Sequence, residues 1–424
     1  MTTPLRSNPD QIKGLFAVLV GVSVPSLIFG RTAIALTSGL AVISIFFLSD
    51  KGKHWSTVRI EAARPVGILV AITLLLWLPN VVLSSDPMRS FEAVARTGVF
   101  IVMGVFFWSI IQSDNRYADR ARISFVIASA IAVFIAILSQ TFIPQLYWVT
   151  HLHGWRSEPI ATELKSFAAL SVLTVPVLLA TAKNRSRIWQ GLGLFGAGGF
   201  MVMVLMTDNR AAIAGLLGAV AATTLAYIFR TTEKRRFVFP VLSLIALFGV
   251  IVLWLFFERA HLREIAPERN WLLPVWLIDF ERQTIWAHTF EQAMTSPVFG
   301  LGVNTVNYTS GADAVIPGTD NLHVIPGHPH NWAMEVLAET GILGLSALIA
   351  AVVSLFYRMF VAFRETANLN HLAAIAVAAG YWVSGLFNFS FWSAWWQVSF
   401  VLALAICSSP PDAPRPTRTP PGNI

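Results

Sequence analysis

Long apolar runs separated by short polar segments dominate this chain from residue 15 to residue 406. Most of the runs approach the roughly 20 residues that a helix needs to cross the hydrocarbon core of a bilayer. Because that core offers no water, each run must satisfy its own backbone hydrogen bonds, as a helix does. The pattern therefore predicts an all-α, polytopic integral membrane protein with about twelve transmembrane helices. The predicted spans are Leu15–Gly30, Thr32–Leu48, Pro65–Leu83, Thr97–Ile111, Ser124–Ile143, Ser166–Ala182, Gln190–Met206, Ala211–Phe229, Phe237–Phe257, Gly341–Met359, Leu372–Phe387 and Phe389–Ile406.

A long polar insertion interrupts this pattern between the predicted ninth and tenth spans. It divides the chain into four predicted regions. These are spans one to nine in residues 1–257, an extramembrane loop in residues 258–331, spans ten to twelve in residues 332–407 and a cytoplasmic tail in residues 408–424. The tail is rich in Pro, Arg and Thr, so we expect it to be disordered.

The loop itself contains two predicted elements. Residues 270–280 are too short to span a membrane and carry Trp271 and Trp276, which would anchor this segment in the headgroup layer. Residues 282–295 repeat apolar side chains at helical spacing, which predicts an amphipathic helix ending at Ser296-Pro297. The loop is thus expected to be helical and to lie against the membrane surface.

Charge indicates how the chain is oriented. Only 12% of residues are charged and 55% are hydrophobic, with a mean hydropathy of +0.64; a soluble domain carries about twice that charge. The N-terminus and alternate loops hold twenty of the thirty Lys and Arg residues. By the positive-inside rule both termini are cytoplasmic and the long loop faces outward. The net charge of +7 is therefore a topology signal, and we expect no nucleic-acid partner.

The loop ends in a motif that contains candidate chemistry, Gly327-His328-Pro329-His330-Asn331. Asn331 is a predicted N-cap of the next helix, which places His330 at the mouth of the tenth span. Glu335 and Glu339 then lie one turn apart on a single helix face. A lone histidine more often packs against or caps a helix end than it catalyses, so the motif by itself leaves both interpretations open.

Together these features resemble the O-antigen ligases, within the Wzy_C superfamily of lipid-linked glycan polymerases and ligases. The resemblance covers most of the chain and includes the twelve-span layout and the large external loop. The motifs that carry it are Arg282 with Trp286, the turn Ser296-Pro-Val-Phe-Gly-Leu-Gly302, His330-Asn331, Glu339-Thr-Gly341-Ile-Leu-Gly344 and Thr207-Asp-Asn-Arg210. In the last motif Asn209 stands where family members usually have a serine, which questions a role for that hydroxyl but not for Arg210.

The resemblance implies a GT-C-like fold and a glycosyltransferase of lipopolysaccharide biosynthesis. The implied donor is a glycan on undecaprenyl pyrophosphate and the implied acceptor is a sugar hydroxyl of lipid A-core. The implied active site lies at the periplasmic face of a Gram-negative inner membrane, and membrane lipids are implied partners. The implied reaction is inverting and metal-independent, and it needs no cofactor.

The resemblance also implies roles for individual residues. His330 would be the base that takes the acceptor's proton, and Arg210 and Arg282 would bind the pyrophosphate, because a guanidinium donates paired hydrogen bonds to phosphate oxygens and stays charged. Weaker candidates for binding a phosphate of the acceptor or of a lipid are Arg156, Arg263 and His328. For each arginine the alternative is a side chain that snorkels to ordinary headgroups.

Several other functions remain open on sequence alone. An O-antigen polymerase or a protein O-oligosaccharyltransferase shares the superfamily's motifs and differs in its acceptor. A twelve-helix transporter would place its functional polar groups near the membrane midplane instead. A metal-dependent route would use the acidic pair Asp279 and Glu281 or the loop histidines, but no cysteine accompanies them, and a salt-bridged or solvated acidic pair is favoured.

Overall fold

The computed structural model describes residues 9–183, 185–230 and 278–407, together with scattered positions between 236 and 251. Regular structure within these residues is helical, apart from one isolated antiparallel bridge between Val315 and His323. The α-helices are α1 (Pro9–Ser23), α2 (Arg31–Ile45), α3 (Lys51–Ala62), α4 (Pro65–Leu83), α5 (Pro87–Ile111), α6 (Asn115–Thr141), α7 (Pro144–Thr150), α8 (Lys165–Ala169), α9 (Ser171–Lys183), α10 (Arg187–Met206), α11 (Arg210–Arg230), α12 (Phe280–Thr295), α13 (Trp332–Thr366), α14 (Leu369–Ser384) and α15 (Ala394–Cys407).

The helices confirm the all-α prediction for the described residues. Six of them, α4, α5, α6, α10, α11 and α13, are long and apolar enough to cross a membrane, and α2, α9, α14 and α15 are shorter apolar helices. Most of the predicted ninth span lies outside the described residues, as do Trp271, Trp276, Arg263 and the predicted tail. The count of about twelve spans stays a prediction.

Packing holds the helices in one bundle and folds the loop onto it. The main core joins α1 with α2 and α6, α9 with α10, and α11 with α14. A second cluster, centred on Trp77 of α4 and on Phe391 and Trp392, reaches α13. A third cluster packs Phe280 and Ile285 of α12, together with apolar side chains of the following loop, against Ala338 of α13. The loop is therefore anchored to the start of α13.

Three ion pairs lie at the end of the bundle opposite the loop. Lys13 contacts Asp50 at 2.5 Å, Arg358 contacts Glu61, and Arg185 contacts Asp119. The three basic residues all belong to the set predicted to be cytoplasmic. Arg210 begins α11, and the loop leads into the start of α13. These helix ends lie away from the three ion pairs, and the candidate site forms there.

Helix α13 is broken near its start. Its 35 residues would extend about 52 Å as a continuous helix, far more than the roughly 30 Å of a hydrocarbon core. Gly341 interrupts it with φ 65° and ψ −175°. The predicted tenth span begins at this break, so the preceding turns, which carry Glu335 and Glu339, belong to the loop end of the bundle.

Candidate functional site

Asp279 starts α12 and brings two arginines together. Its Oδ1 accepts a hydrogen bond from the backbone N of Arg282 at 3.0 Å, so it is the N-cap of the helix. Its Oδ2 accepts from Arg282 Nη1 at 3.2 Å and from Arg210 Nη2 at 3.0 Å. The helix begins two residues before the predicted start, because the cap precedes the apolar repeat. The two arginines predicted to bind pyrophosphate thus converge on one carboxylate.

Asn209 explains how the chain positions Arg210. Its Oδ1 accepts from the backbone N of Ala212 at 3.0 Å, and its Nδ2 donates to the Lys165 carbonyl oxygen at 2.8 Å. The side chain is buried. Asparagine caps a helix about as well as serine, so the departure from the family pattern preserves the first turn of α11 and the place of Arg210.

His330 lies at the mouth of α13 in a strained backbone conformation. Its φ of 56° is in the left-handed region, which is uncommon outside glycine and often marks a functional position. Next to it, Asn331 Oδ1 accepts from the backbone N of Ala333 at 3.0 Å and of Met334 at 3.2 Å, which confirms the predicted N-cap. The cap fixes where the histidine leaves the helix.

A single carbonyl group orients the two histidines of the motif. His330 Nδ1 lies 3.1 Å and His328 Nε2 lies 3.0 Å from the carbonyl oxygen of Asn388, and the rings are 4.2 Å apart. Because a carbonyl oxygen only accepts, Nδ1 of His330 must carry a proton. In the neutral ring Nε2 then keeps its lone pair and is the available base.

Burial keeps both imidazoles neutral. Burial, helped by the neighbouring His328 and Arg282, lowers the pKa of His330 to about 3. Burial also lowers the pKa of His328. Arg282 thus lies near enough to His330 for its charge to lower the pKa of that histidine. Trp286 joins them further, since its Nε1 donates to the Pro329 carbonyl oxygen at 3.1 Å.

The Ser296–Gly302 turn pairs through its backbone with the first turns of α13. Backbone hydrogen bonds run from Leu301 N to the Ala338 carbonyl oxygen at 2.9 Å and from Ile342 N to the Pro297 carbonyl oxygen at 2.9 Å. A Cβ on Gly341 would lie 2.2 Å from the Val298 carbonyl oxygen. A Cβ on Gly300 would likewise lie 2.4 Å from the Glu339 carbonyl oxygen, so Gly300 and Gly341 lie where the two backbones touch.

Glu335 and Glu339 are structural anchors on α13. Both are buried. Glu339 accepts from the backbone N of Asn304 at 2.6 Å and of Val306 at 3.0 Å, and so holds the loop after the turn. Glu335 accepts from the backbone N of Phe391 at 2.6 Å, two peptide units beyond the Asn388 carbonyl that orients the histidines.

Arg31 is a residue that sequence reasoning missed. It lies close enough to lower the pKa of His328 by its charge, and its guanidinium carbon is 5.8 Å from the Trp395 ring centroid. The available signal was that Arg31 is one of the ten basic residues predicted to face outward. Asn388 was missed too, although it is a polar residue between the last two predicted spans.

The weaker candidates divide. His328 lies in the site, beside His330. Arg156 is exposed on the loop after α7, with its guanidinium carbon 5.9 Å from the Trp148 ring centroid, and it has no described contact with the paired arginines. Arg263 lies outside the described residues. Among the side chains the structure describes, no group of three or more His, Cys, Asp or Glu is arranged to hold a metal ion.

Known proteins resemble part of this chain. Residues 195–349 match the family model Wzy_C, described as O-antigen ligase. Relatives from Rickettsia typhi and Rickettsia bellii, which are provisionally named polysaccharide ligases, are each 26% identical, over 131 and 183 residues. The first match covers 30% of this chain and 31% of the relative, and the second covers 40% and 42%. The chain thus spans less than half the length of these curated relatives.

The matched region includes the whole arginine and histidine arrangement. It contains Arg210, Arg282 and His330 and extends into α13 beyond the break. The resemblance to the O-antigen ligase family that the motifs predict is therefore confirmed.

Proposed function

We propose that this chain, whose residues 195–349 are of the O-antigen ligase family, is an inverting glycosyltransferase. It transfers a glycan from undecaprenyl pyrophosphate to a sugar hydroxyl of lipid A-core, at the periplasmic face of a Gram-negative inner membrane. The proposal includes a GT-C-like layout of about twelve spans with the site in the external loop between spans nine and ten. The observation that carries it is the convergence of Arg210 and Arg282 on one carboxylate beside His330.

The two arginines suit a departing diphosphate. Breaking the bond between the anomeric carbon and its oxygen leaves a multiply charged lipid diphosphate, and near a low-dielectric surface that charge needs fixed cations. Each guanidinium presents a planar fork of N–H donors that matches phosphate oxygens. The side chains of Arg210 and Arg282 are 19% and 24% exposed, so a ligand from outside can reach them.

His330 suits the acceptor. The hydroxyl oxygen forms a bond to the anomeric carbon, while its proton passes to Nε2 of the neutral imidazole. The bond from the anomeric carbon to the diphosphate oxygen breaks on the opposite face, its electron pair stays on that oxygen, and the configuration inverts. General-base assistance of this kind contributes roughly 10²–10⁴-fold in rate.

Donor binding strengthens this base. In the empty site, burial and the nearby Arg282 lower the pKa of His330 to about 3, which leaves it neutral but weakly basic. A diphosphate bound on the arginines adds negative charge close to the ring, and negative charge favours the protonated imidazole. The pKa of His330 therefore rises toward the working pH only when a donor is present. His328, Arg156 and Arg263 remain the proposed secondary ligands for acceptor or lipid phosphate.

A reconstituted transfer reaction tests the proposal. Purified protein is incubated in detergent and chelator with undecaprenyl-pyrophosphate glycan and lipid A-core, and the product is resolved on a gel. We expect ligated product from the parent protein, and losses of roughly 10²-fold or more in His330→Ala and Arg282→Ala. Matched controls are His323→Ala, whose side chain is 49% exposed in the same loop, and the exposed Arg187→Ala at the other end of the bundle.

The acceptor separates this proposal from its rivals. Transfer only to a second lipid-linked glycan would make the protein a polymerase, and transfer only to a peptide hydroxyl would make it a protein O-oligosaccharyltransferase. Substrate flux that survives His330→Ala would support a transporter and reject the enzyme.

A further inference from the structure

The carboxylate of Asp279 occupies the place where the proposed diphosphate would bind. Its Oδ2 lies 3.0 Å from Arg210 Nη2 and 3.2 Å from Arg282 Nη1. These are the kinds of N–H donors that a phosphate oxygen would use. An internal anion and the external one therefore seek the same hydrogen bonds.

The helix, and not only the arginines, holds this carboxylate in place. Oδ1 is the N-cap acceptor for Arg282 N at 3.0 Å, so Asp279 keeps its position when the guanidinium groups turn to another partner. Its side chain is 17% exposed, close to the exposure of the two arginines. All three side chains are therefore partly exposed and can meet a ligand.

Two guanidinium groups that converge without an anion repel each other. Before a diphosphate binds, the carboxylate of Asp279 between them offsets that repulsion and keeps them aligned. Once a diphosphate binds, the same carboxylate repels it. The charge at residue 279 contributes to both effects.

We propose that Asp279 is an internal counter-anion that holds the arginine pair assembled in the empty site and competes with the lipid diphosphate for it. The inference rests on the proposed function. It makes Asp279 a positioning residue that weakens binding of both donor and product. The product has a terminal phosphate with one more ionisable oxygen than the donor, so it binds the arginines more strongly. Competition by Asp279 therefore accelerates product release the most.

Asp279→Asn isolates the charge. Asparagine ranks with aspartate as an N-cap, so the helix start is preserved while the negative charge is lost. The matched control is Asp86→Asn, because Asp86 caps α5 by accepting from Arg89 N at 3.0 Å without joining the arginine pair. Asp279→Ser is a second variant that keeps a capping oxygen, for use if the asparagine variant does not fold.

The experiment measures binding of inorganic pyrophosphate by calorimetry, together with transfer kinetics and inhibition by undecaprenyl pyrophosphate. We expect the Kd for pyrophosphate to fall about tenfold in Asp279→Asn, which corresponds to about 1.4 kcal/mol of lost competition. The donor KM and the product inhibition constant should fall with it, while kcat falls because product leaves more slowly. Asp86→Asn should match the parent protein in all four quantities.

The outcomes distinguish the inference from the function. Affinity for pyrophosphate that is unchanged or weaker in Asp279→Asn and Asp279→Ser overturns the counter-anion, whereas the function stands if Arg210→Ala and Arg282→Ala still abolish binding. If neither the parent protein nor the Asp279 variants bind pyrophosphate, both the inference and the proposed function fall.

Discussion

Replacing Gly341 by alanine tests whether the pairing of the Ser296–Gly302 turn with α13 holds the site together. Gly341 has φ 65° and ψ −175°, a region that glycine alone occupies without strain, so alanine costs about 1–3 kcal/mol there. The new Cβ would also meet the Val298 carbonyl oxygen at 2.2 Å. Because that atom is backbone, the turn must move away and lose its hydrogen bonds from Ile342 N and Leu343 N, each worth about 0.5–1.5 kcal/mol.

We therefore expect Gly341→Ala to lower the free energy of unfolding by about 2–6 kcal/mol. The control is Gly198→Ala in α10, where a Cβ meets nothing within 4 Å and alanine is favoured over glycine by about 1 kcal/mol in a helix. Thermal unfolding in detergent, followed by tryptophan fluorescence, compares the two with the parent protein, and glycan transfer is measured on the same samples. The reasoning is refuted if Gly341→Ala unfolds at the same temperature as Gly198→Ala and transfers glycan at the same rate.

Three further changes probe the surroundings of His330. The pKa of His330 is lowered from 6.5 to about 3 in the folded protein, so the unfolded chain takes up a proton first as the pH falls. The free energy of unfolding should therefore drop between pH 6.5 and pH 4, and it should drop less in His330→Gln. Parallel thermal-unfolding curves for the two proteins would contradict this. Asn331→Ala should lower the free energy of unfolding by about 1 kcal/mol through loss of the N-cap, whereas Asn331→Asp should not. Equal unfolding temperatures in these two variants would argue against the cap. Trp286→Phe keeps an aromatic ring but loses the hydrogen bond to the Pro329 carbonyl oxygen. We expect the free energy of unfolding to fall by about 0.5–1.5 kcal/mol and kcat to fall at unchanged donor KM. An unchanged kcat would show that this bond does not position the base.

Local features of the site could be predicted from the sequence because they depend on neighbouring residues. Asn331 was recognisable as an N-cap because a capping residue precedes the apolar run of the next helix. The helix that carries Arg282 showed its apolar repeat, although Asp279 starts it two residues earlier than that repeat indicates. The error in this second case is confined to the helix end, where capping and periodicity give different boundaries.

The convergence of the site could not be predicted in the same way, because it depends on tertiary packing. Arg210 and Asp279 are 69 residues apart, and the acidic pair around Asp279 indicated only a salt bridge or a solvated role. The Asn388 carbonyl and Arg31 come from opposite ends of the chain and carry no local sign of contact with the histidines. The family resemblance supplied the roles of the residues, but not the carboxylate that joins the two arginines.

The anchoring of the loop at two points, by one carboxylate and one backbone carbonyl, has a consequence for how such a protein can diversify. Glu339 fastens the chain at Val306, and the Asn388 carbonyl meets it again at His328. Residues 307–327 run between these two fixed points, and within them Ala312, Ile316 and Ile325 pack into the third cluster. We therefore expect sequence exchange at the other positions of this segment to leave Arg282 and His330 in place, so that substrate specificity could evolve there without loss of the chemistry.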